Sequence, residues 1–256
     1  MGESLRGHAI LIIRPAGLGD ALASMIRDEG GEAILHPAIE ILPAPRPARL
    51  AMVIARLHTF DWAIFVSPTA AREGMKSVRE RRHWPPAVRI AAIGRGTALA
   101  LGELGAENVL APAPPGDSEA LAALPELQDI EGQNVVIFRG DGGREYLGRL
   151  LAQRGARVEY AECYRRARPT ADMSALLERW RTGAVQAIGA GSSEALRNLL
   201  ELAGDADAAL LLATPVFVPH PKVADAARQM GFAQAVVTIG GDSAMAEGLA
   251  AFFAKV

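Results

Sequence analysis

Cysteine is nearly absent from this chain. Cys163 is the only one in 256 residues, so no intramolecular disulfide can form. A lone cysteine fits a reducing compartment. Cys163 itself reads as a small strand-end residue, because a catalytic thiol needs a base partner that the sequence does not supply. An excess of one charge is missing too. The formal net charge is -2, which argues against bulk electrostatic binding of nucleic acid and leaves room only for a local basic cleft. Long apolar runs are also lacking. The longest, Ala208 to Val218, is too short to span a bilayer and is broken at Thr214-Pro215. Met1 to His8 has no charged segment leading into an apolar core and a small-residue cleavage site. The expectation is a cytoplasmic protein that engages neither membrane nor nucleic acid.

Several sharp motifs are missing. There is no G-x-x-x-x-G-K-[ST] loop, and Gly17-Leu-Gly19 lacks the third glycine of a dinucleotide fingerprint. The five histidines, His8, His36, His58, His83 and His220, show no ligand spacing with cysteine or carboxylate, so no metal site is expected. No G-x-S-x-G elbow occurs, which argues against a Ser/His/Asp hydrolase. Nothing calls for a cofactor.

What is present is a full core in regular alternation. Half the residues are hydrophobic and 22% are charged. His8 to Ile13 is a continuous apolar run that suits a strand buried on both faces. A helix from Ala21 to Glu29 follows, stopped by Gly30-Gly31. Strand and helix then alternate to the end. Further strands are expected near residues 32, 60, 88, 108, 134, 157, 184, 214 and 235. Pro112, Pro114 and Pro115 make a loop, and Asp117-Ser118 and Asp242-Ser243 read as helix caps. Such alternation means an α/β protein with parallel sheets.

The two halves match at a constant offset of about 125 residues. Arg14 overlies Arg139, Ser67 overlies Ser192, Gly96-Thr97 overlies Pro221-Lys222, and Asp117-Ser118 overlies Asp242-Ser243. Pro37 to Leu42 overlies Glu162 to Ala167. The proline-rich stretch from Pro37 to Pro47 is extended and unsuited to a sheet interior. A repeat alone permits two divisions: sequential lobes split between Pro112 and Gln133, or lobes that exchange halves, with the chain crossing at Pro37–Pro47 and Glu162–Thr170.

Parallel sheets bind ligands beyond the carboxyl ends of their strands. The turns there hold Arg14, Ser67 and Thr69, Gly94 and Thr97, Arg139 and Gly140, Ser192 and Ser193, and Lys222. Free backbone N–H groups and helix dipoles favour anions at such turns, and the cations add fixed charge. A polycarboxylate or a phosphate fits. Taken singly, each serine or threonine reads as an N-cap. Tyr164, one of three tyrosines, follows a strand among arginines. A phenol holds its proton at neutral pH and can assist a leaving hydroxyl; packing at a lobe junction is the other reading.

With these residues the chain resembles the uroporphyrinogen-III synthase family from Ile10 to Phe253. The resemblance rests on Arg14-Pro15, Ser67-Pro-Thr-Ala70, Gly94-Arg-Gly-Thr97-Ala98, Arg139-Gly140 with Gly143-Arg144-Glu145, Cys163-Tyr164-Arg165, and Gly191-Ser192-Ser193. It implies two flavodoxin-like parallel-sheet lobes joined by a two-stranded linker, with a cleft between. Residues 1–37 and 170–256 would form the terminal lobe, 45–160 the middle lobe, and 38–44 and 161–169 the linkers. The implied reaction is cyclisation of hydroxymethylbilane to uroporphyrinogen III. Water leaves, the last pyrrole ring inverts through a spiro intermediate, and no cofactor is used. Tyr164 matches the family's tyrosine, proposed to assist loss of the hydroxyl. The family reading also implies a monomer that receives its substrate in a transient hand-over from hydroxymethylbilane synthase. Pro219-His-Pro-Lys222 departs from the glycine- and threonine-containing turn of some members, so Lys222 is expected to contact a carboxylate in its place. The alternatives are a non-catalytic two-lobed protein that binds an anion or tetrapyrrole, and a phosphosugar or nucleotide transferase.

Overall fold

The computed structural model describes residues 3–114 and 116–254; Pro115 of the expected proline loop lies outside them. The chain divides into two compact units. One is Met1–Ile41 with Ala167–Val256, and the other is Leu42–Arg166.

In chain order the elements begin with β1 (Ala9–Ile12), α1 (Asp20–Asp28), β2 (Glu32–Leu35) and β3 (Glu40–Pro43). Then come α2 (Pro47–Ala55), β4 (Trp62–Phe65), α3 (Pro68–Arg79), β5 (Arg89–Ala92), α4 (Arg95–Glu103) and α5 (Ser118–Ala122). β6 (Asn134–Gly140), α6 (Tyr146–Gln153) and the long β7 (Arg157–Ala167) complete the middle of the chain. The last part holds α7 (Ser174–Arg181), β8 (Ala187–Gly189), α8 (Ser193–Ala203), α9 (Ala208–Ala213) and β9 (Val216–Val218). It ends with α10 (Pro221–Gln229), β10 (Ala235–Val237) and α11 (Asp242–Phe253).

In the terminal unit the sheet order is β10-β9-β8-β1-β2, with every pair parallel. Read from the other edge, this is the flavodoxin order, with the chain reversing direction across the sheet between β1 and β8. All four residues of β1 are buried because successive side chains enter different layers. Leu11 packs with Leu196 and Leu199 of α8 and Ala224 of α10. Ile10 and Ile12 pack with Leu22 and Ile26 of α1 and Leu249 of α11. The apolar run at the start of the chain is therefore the middle of a three-layer sandwich.

The second unit has the order β3-β7-β6-β4-β5. β6 and β4 are parallel central neighbours, flanked by parallel β7 and β5. Ile64, Val135 and Ile137 face Leu147 and Leu151 of α6. On the opposite face Phe65 stacks on Phe138 at 4.6 Å, under Gly74 of α3, where a Cβ would meet the Phe138 ring at 2.7 Å. The chain leaves the terminal unit within β3 and re-enters it at the end of β7, and these two strands are neighbours in the sheet. Pro43 closes β3, as an edge strand permits.

The internal repeat is visible in the strands. β1 and β6, β2 and β7, and β4 and β8 each start 125 residues apart, and they occupy equivalent places in the two sheet orders. Two expectations are corrected. Asn108 to Leu110 is not a strand but the single bridge Ala91↔Leu110, at the place β10 takes in the other unit. Asn108 adopts φ 52, in the left-handed region, so the chain turns too sharply to extend the pairing. Asp242 does not cap α11 either. It is the first helical residue after Gly241, and its carboxylate goes to Arg14. Asp117 does act as a cap, accepting the Ala120 N–H at 2.9 Å. The short helix α9 lies inside the apolar run from Ala208 and was not expected. Among the described residues, no helix is long and apolar enough to cross a membrane.

Candidate active site

In the second unit the sheet reverses direction between β4 and β6, and Ser67 and Gly140 stand at the carboxyl ends of those strands. Tyr164 reaches this point because of an irregularity in β7. Arg139 pairs with Glu162, but Gly140 pairs with Tyr164, so Cys163 is passed over. Such a bulge re-aims the residues that follow it. Tyr164 then lies across Gly140, where a Cβ would sit 2.8 Å from ring carbons Cε2 and Cζ. The glycine is required by this close approach. The Asp141 N–H donates to the Tyr164 carbonyl at 2.8 Å and locks the turn.

The Tyr164 side chain is buried, at 3% exposure, and its hydroxyl lies 3.3 Å from Ser67 Oγ. Ser67 also caps α3, its oxygen accepting the Ala70 N–H at 2.9 Å. The expected cap and the expected site residue are the same atom. Thr69 follows in the first turn of α3.

Arg139 is nearly buried and lies over the Tyr160 ring at 4.0 Å. Its Nη2 donates to Glu162 Oε1 at 3.3 Å, and Glu162 also holds Arg46. Among the described residues, Nε and Nη1 of Arg139 are buried without a hydrogen-bond partner. Burial raises the Tyr160 phenol above its ordinary value, against the pull of Arg139. Sequence reading did not single out Glu162, Tyr160 or Arg46. Alternation along β7 puts Tyr160 and Glu162 on one face, which is the signal that could have found two of them. Cys163 donates to the Arg139 carbonyl at 3.2 Å, and burial pushes its thiol up to about 12.

Gly94 and Thr97 belong to the neighbouring turn after β5. Gly94 is the N-cap of α4 and packs on Gly116, with a Cβ there 3.1 Å from the Gly116 carbonyl oxygen. Thr97 is 2% exposed, so its side chain faces the core of the unit.

In the terminal unit the corresponding point is the gap between β1 and β8. Arg14 follows β1 and lies beside Gly191, whose added Cβ would be 3.6 Å from Arg14 Cγ. Its guanidinium pairs with Asp242 and approaches Met245 Sδ at 3.6 Å, while Nε is buried without a partner among the described residues. Ser192 caps α8 through the Ala195 N–H at 3.2 Å, and Ser193 is the first helical residue. Lys222 sits in the first turn of α10, on the exposed surface. Its N–H donates to Nδ1 of the cap residue His220 at 3.0 Å.

The structure thus gathers Ser67, Arg139, Gly140 and Tyr164 in one unit, and Arg14, Gly191 and Ser192 in the other. Each group offers hydroxyls, cations and helix N-termini at the carboxyl edge of a parallel sheet, which suits an anionic ligand. Among the described residues no cluster of histidine, cysteine and carboxylate could hold a metal ion.

Comparison with known proteins agrees on one family. The family model described as uroporphyrinogen-III synthase HemD matches residues 20–240. A uroporphyrinogen-III synthase of Salmonella typhimurium is 40% identical over 195 residues, covering 76% of this chain and 79% of that one. One from Proteus mirabilis is 32% identical over 193 residues, 75% of this chain and 97% of its own. In fold the chain is similar to a mutant uroporphyrinogen III synthase of Thermus thermophilus. The TM-score is 0.64 at 20% identity, over 97% of this chain and all of that one. The Helicobacter pylori uroporphyrinogen-III synthetase gives a TM-score of 0.55 at 13% identity, over 94% and 97% of the two chains.

Proposed function

The chain belongs to the uroporphyrinogen-III synthase family, and on that premise we propose that it closes hydroxymethylbilane to uroporphyrinogen III. The observation that carries the reading is the family match over residues 20–240 together with relatives 40% and 32% identical. The reaction is that of a cyclising lyase in tetrapyrrole biosynthesis. Water leaves the hydroxymethyl carbon, and the last pyrrole ring is attacked at its substituted carbon. The resulting spiro intermediate fragments and recloses with that ring inverted.

The residues support a division of labour. Loss of hydroxide from carbon is assisted by a proton donor, and the Tyr164 hydroxyl is the candidate. Ser67, 3.3 Å away, is a positioning residue that fixes the direction of that hydroxyl. Arg139 and the helix N-termini at Ser67 and Ser192 are proposed to take substrate carboxylates. Arg14 is proposed for the same task, although Asp242 already holds part of its guanidinium. Gly94 is proposed to offer its backbone, since a Cβ there would press on the Gly116 backbone at 3.1 Å. Because the substrate also closes without inversion, most of the catalytic effect is conformational control. Supplying hydroxymethylbilane and identifying the isomer formed tests the proposal.

A further inference from the structure

A cavity lies in the unit Leu42–Arg166, at the opposite end of the sheet from Tyr164. It is lined where β4 and β5 begin, by Trp62 and Arg89, and where α3 and α4 end, by Val78, Arg79 and Leu104. Trp84 and Asn108 also line it, and the volume is about 960 Å³. β4 is four residues long, so roughly 13 Å of strand separates this end from the end that carries Ser67.

Three features set the cavity apart. Among the described residues its arginines lack anionic partners. Arg79 donates to the Leu104 carbonyl, Arg82 to the carbonyls of Ile54 and Ala55, and Arg89 to Gln133 Oε1 at 2.9 Å. None of the three has a carboxylate within ion-pair distance among the described residues, whereas many other arginines of the chain do. Glu107 is the lone carboxylate among the described residues of the lining.

The second feature is an unmatched donor. Trp62 is 3% exposed, and its indole N–H is buried without an acceptor among the described residues. A buried donor left without a partner is costly, so an acceptor brought to it is favoured. The other lining tryptophan, Trp84, does have an acceptor, the Val88 carbonyl at 3.2 Å. The third feature is aromatic surface already used by a cation. The Arg89 guanidinium lies over the Trp62 ring at 4.1 Å. Met75, Val88, Ile90 and Leu110 supply apolar wall between the polar groups.

We propose that this cavity is a binding site for a small organic anion with a flat aromatic body, separate from the site of cyclisation. The ring system would lie against tryptophan and the aliphatic wall. Its anionic group would face the arginines and accept the Trp62 N–H. The volume falls within the usual range for small-molecule sites, and so does the mixture of apolar wall with a few polar anchors. A carboxylate and a phosphate are both compatible with guanidinium donors.

The test uses the full chain labelled with nitrogen-15, whose three tryptophans give three indole N–H signals. Naphthoate, naphthyl phosphate, neutral naphthylmethanol and cyclohexanecarboxylate are titrated in turn. The expected result is a saturable shift of the Trp62 and Trp84 signals with naphthoate or naphthyl phosphate, whichever binds tighter naming the anionic group. The signal of Trp180, which is buried in the other unit, stays in place. The neutral alcohol and the non-aromatic acid should bind at least tenfold more weakly. Arg89→Gln and Trp62→Phe should each weaken binding about tenfold while the other indole signals keep their positions, which shows that the fold is intact. No saturable shift with either aromatic anion at low millimolar concentration overturns the proposal. So does equal binding of the neutral alcohol, or unchanged binding in both variants. Cyclisation activity enters none of these readouts.

Discussion

The hydroxyl of Tyr164 stands 3.3 Å from Ser67 Oγ, and that serine oxygen also accepts the Ala70 N–H that caps α3. One atom therefore serves the helix and the candidate catalytic group. Ser192, its counterpart 125 residues on, caps α8. Ser67→Ala and Ser192→Ala should each cost about 1 kcal/mol of stability by urea denaturation, the ordinary loss of a serine cap. The Ser67 variant should also lose turnover well beyond the Ser192 variant, through kcat more than KM. Equal kinetic effects would leave Ser67 with a capping role alone.

Arg14 and Asp242 pose a sharper question, because the pair is partly buried and each partner neutralises the other. Arg14→Ala leaves the carboxylate without its cation, and a cost of about 1–3 kcal/mol is expected. If Arg14 also meets a substrate carboxylate, Arg14→Ala should raise KM about fivefold, or roughly 1 kcal/mol. Asp242→Asn, which keeps the guanidinium in place, should leave KM the same or lower. If both variants lose stability and neither changes KM, Arg14 only braces the turn after β1.

Cys163 should be inert. It is 3% exposed and its thiol is pushed up to about 12, chiefly by burial. At neutral pH the thiolate that reacts is a very small fraction. A dithiobis-nitrobenzoate reagent should release no colour from the native protein, then one equivalent once denaturant is added. Rapid reaction of the folded protein with loss of activity would place a reactive thiol in the mechanism.

His36 gives the fold a pH dependence on the acid side. Burial lowers its pKa from the ordinary 6.5, so the folded chain binds this proton less readily than the unfolded chain. The contribution is complete above 6.5 and is lost as pH falls through 6.5 toward the folded value. Glu32 is also held low, first by its hydrogen bond from Arg179, but it acts only below 4.5. Urea midpoints measured from pH 7.5 to about 5 should therefore fall in wild type and flatten in His36→Gln. Parallel curves would remove His36 from the account.

Much of this was legible in the sequence. Buried parallel strands show as continuous apolar runs, and a constant 125-residue offset survives because equivalent turns keep their chemistry. What could not be read depends on contacts distant in sequence. Asp117-Ser118 and Asp242-Ser243 are the same text, yet only Asp117 caps a helix, because Arg14 captures Asp242 from 228 residues away. The passing-over of Cys163 in β7, which brings Tyr164 onto Gly140, leaves no mark in the local pattern. α9 was hidden because an apolar stretch from Ala208 to Val218 suits helix and strand alike. Thr97 looked available at a helix start, but the helix turns it into the core.

The most direct measurement is the isomer formed from hydroxymethylbilane, separated after oxidation to porphyrin, with wild type beside Tyr164→Phe. The inverted type III isomer is expected from wild type, formed faster than spontaneous closure. Tyr164→Phe should change stability by about 1 kcal/mol or less and slow inversion by about a hundredfold or more. Only the uninverted type I isomer from wild type, at the spontaneous rate, would contradict the function; near-normal turnover in Tyr164→Phe would return Tyr164 to a packing role.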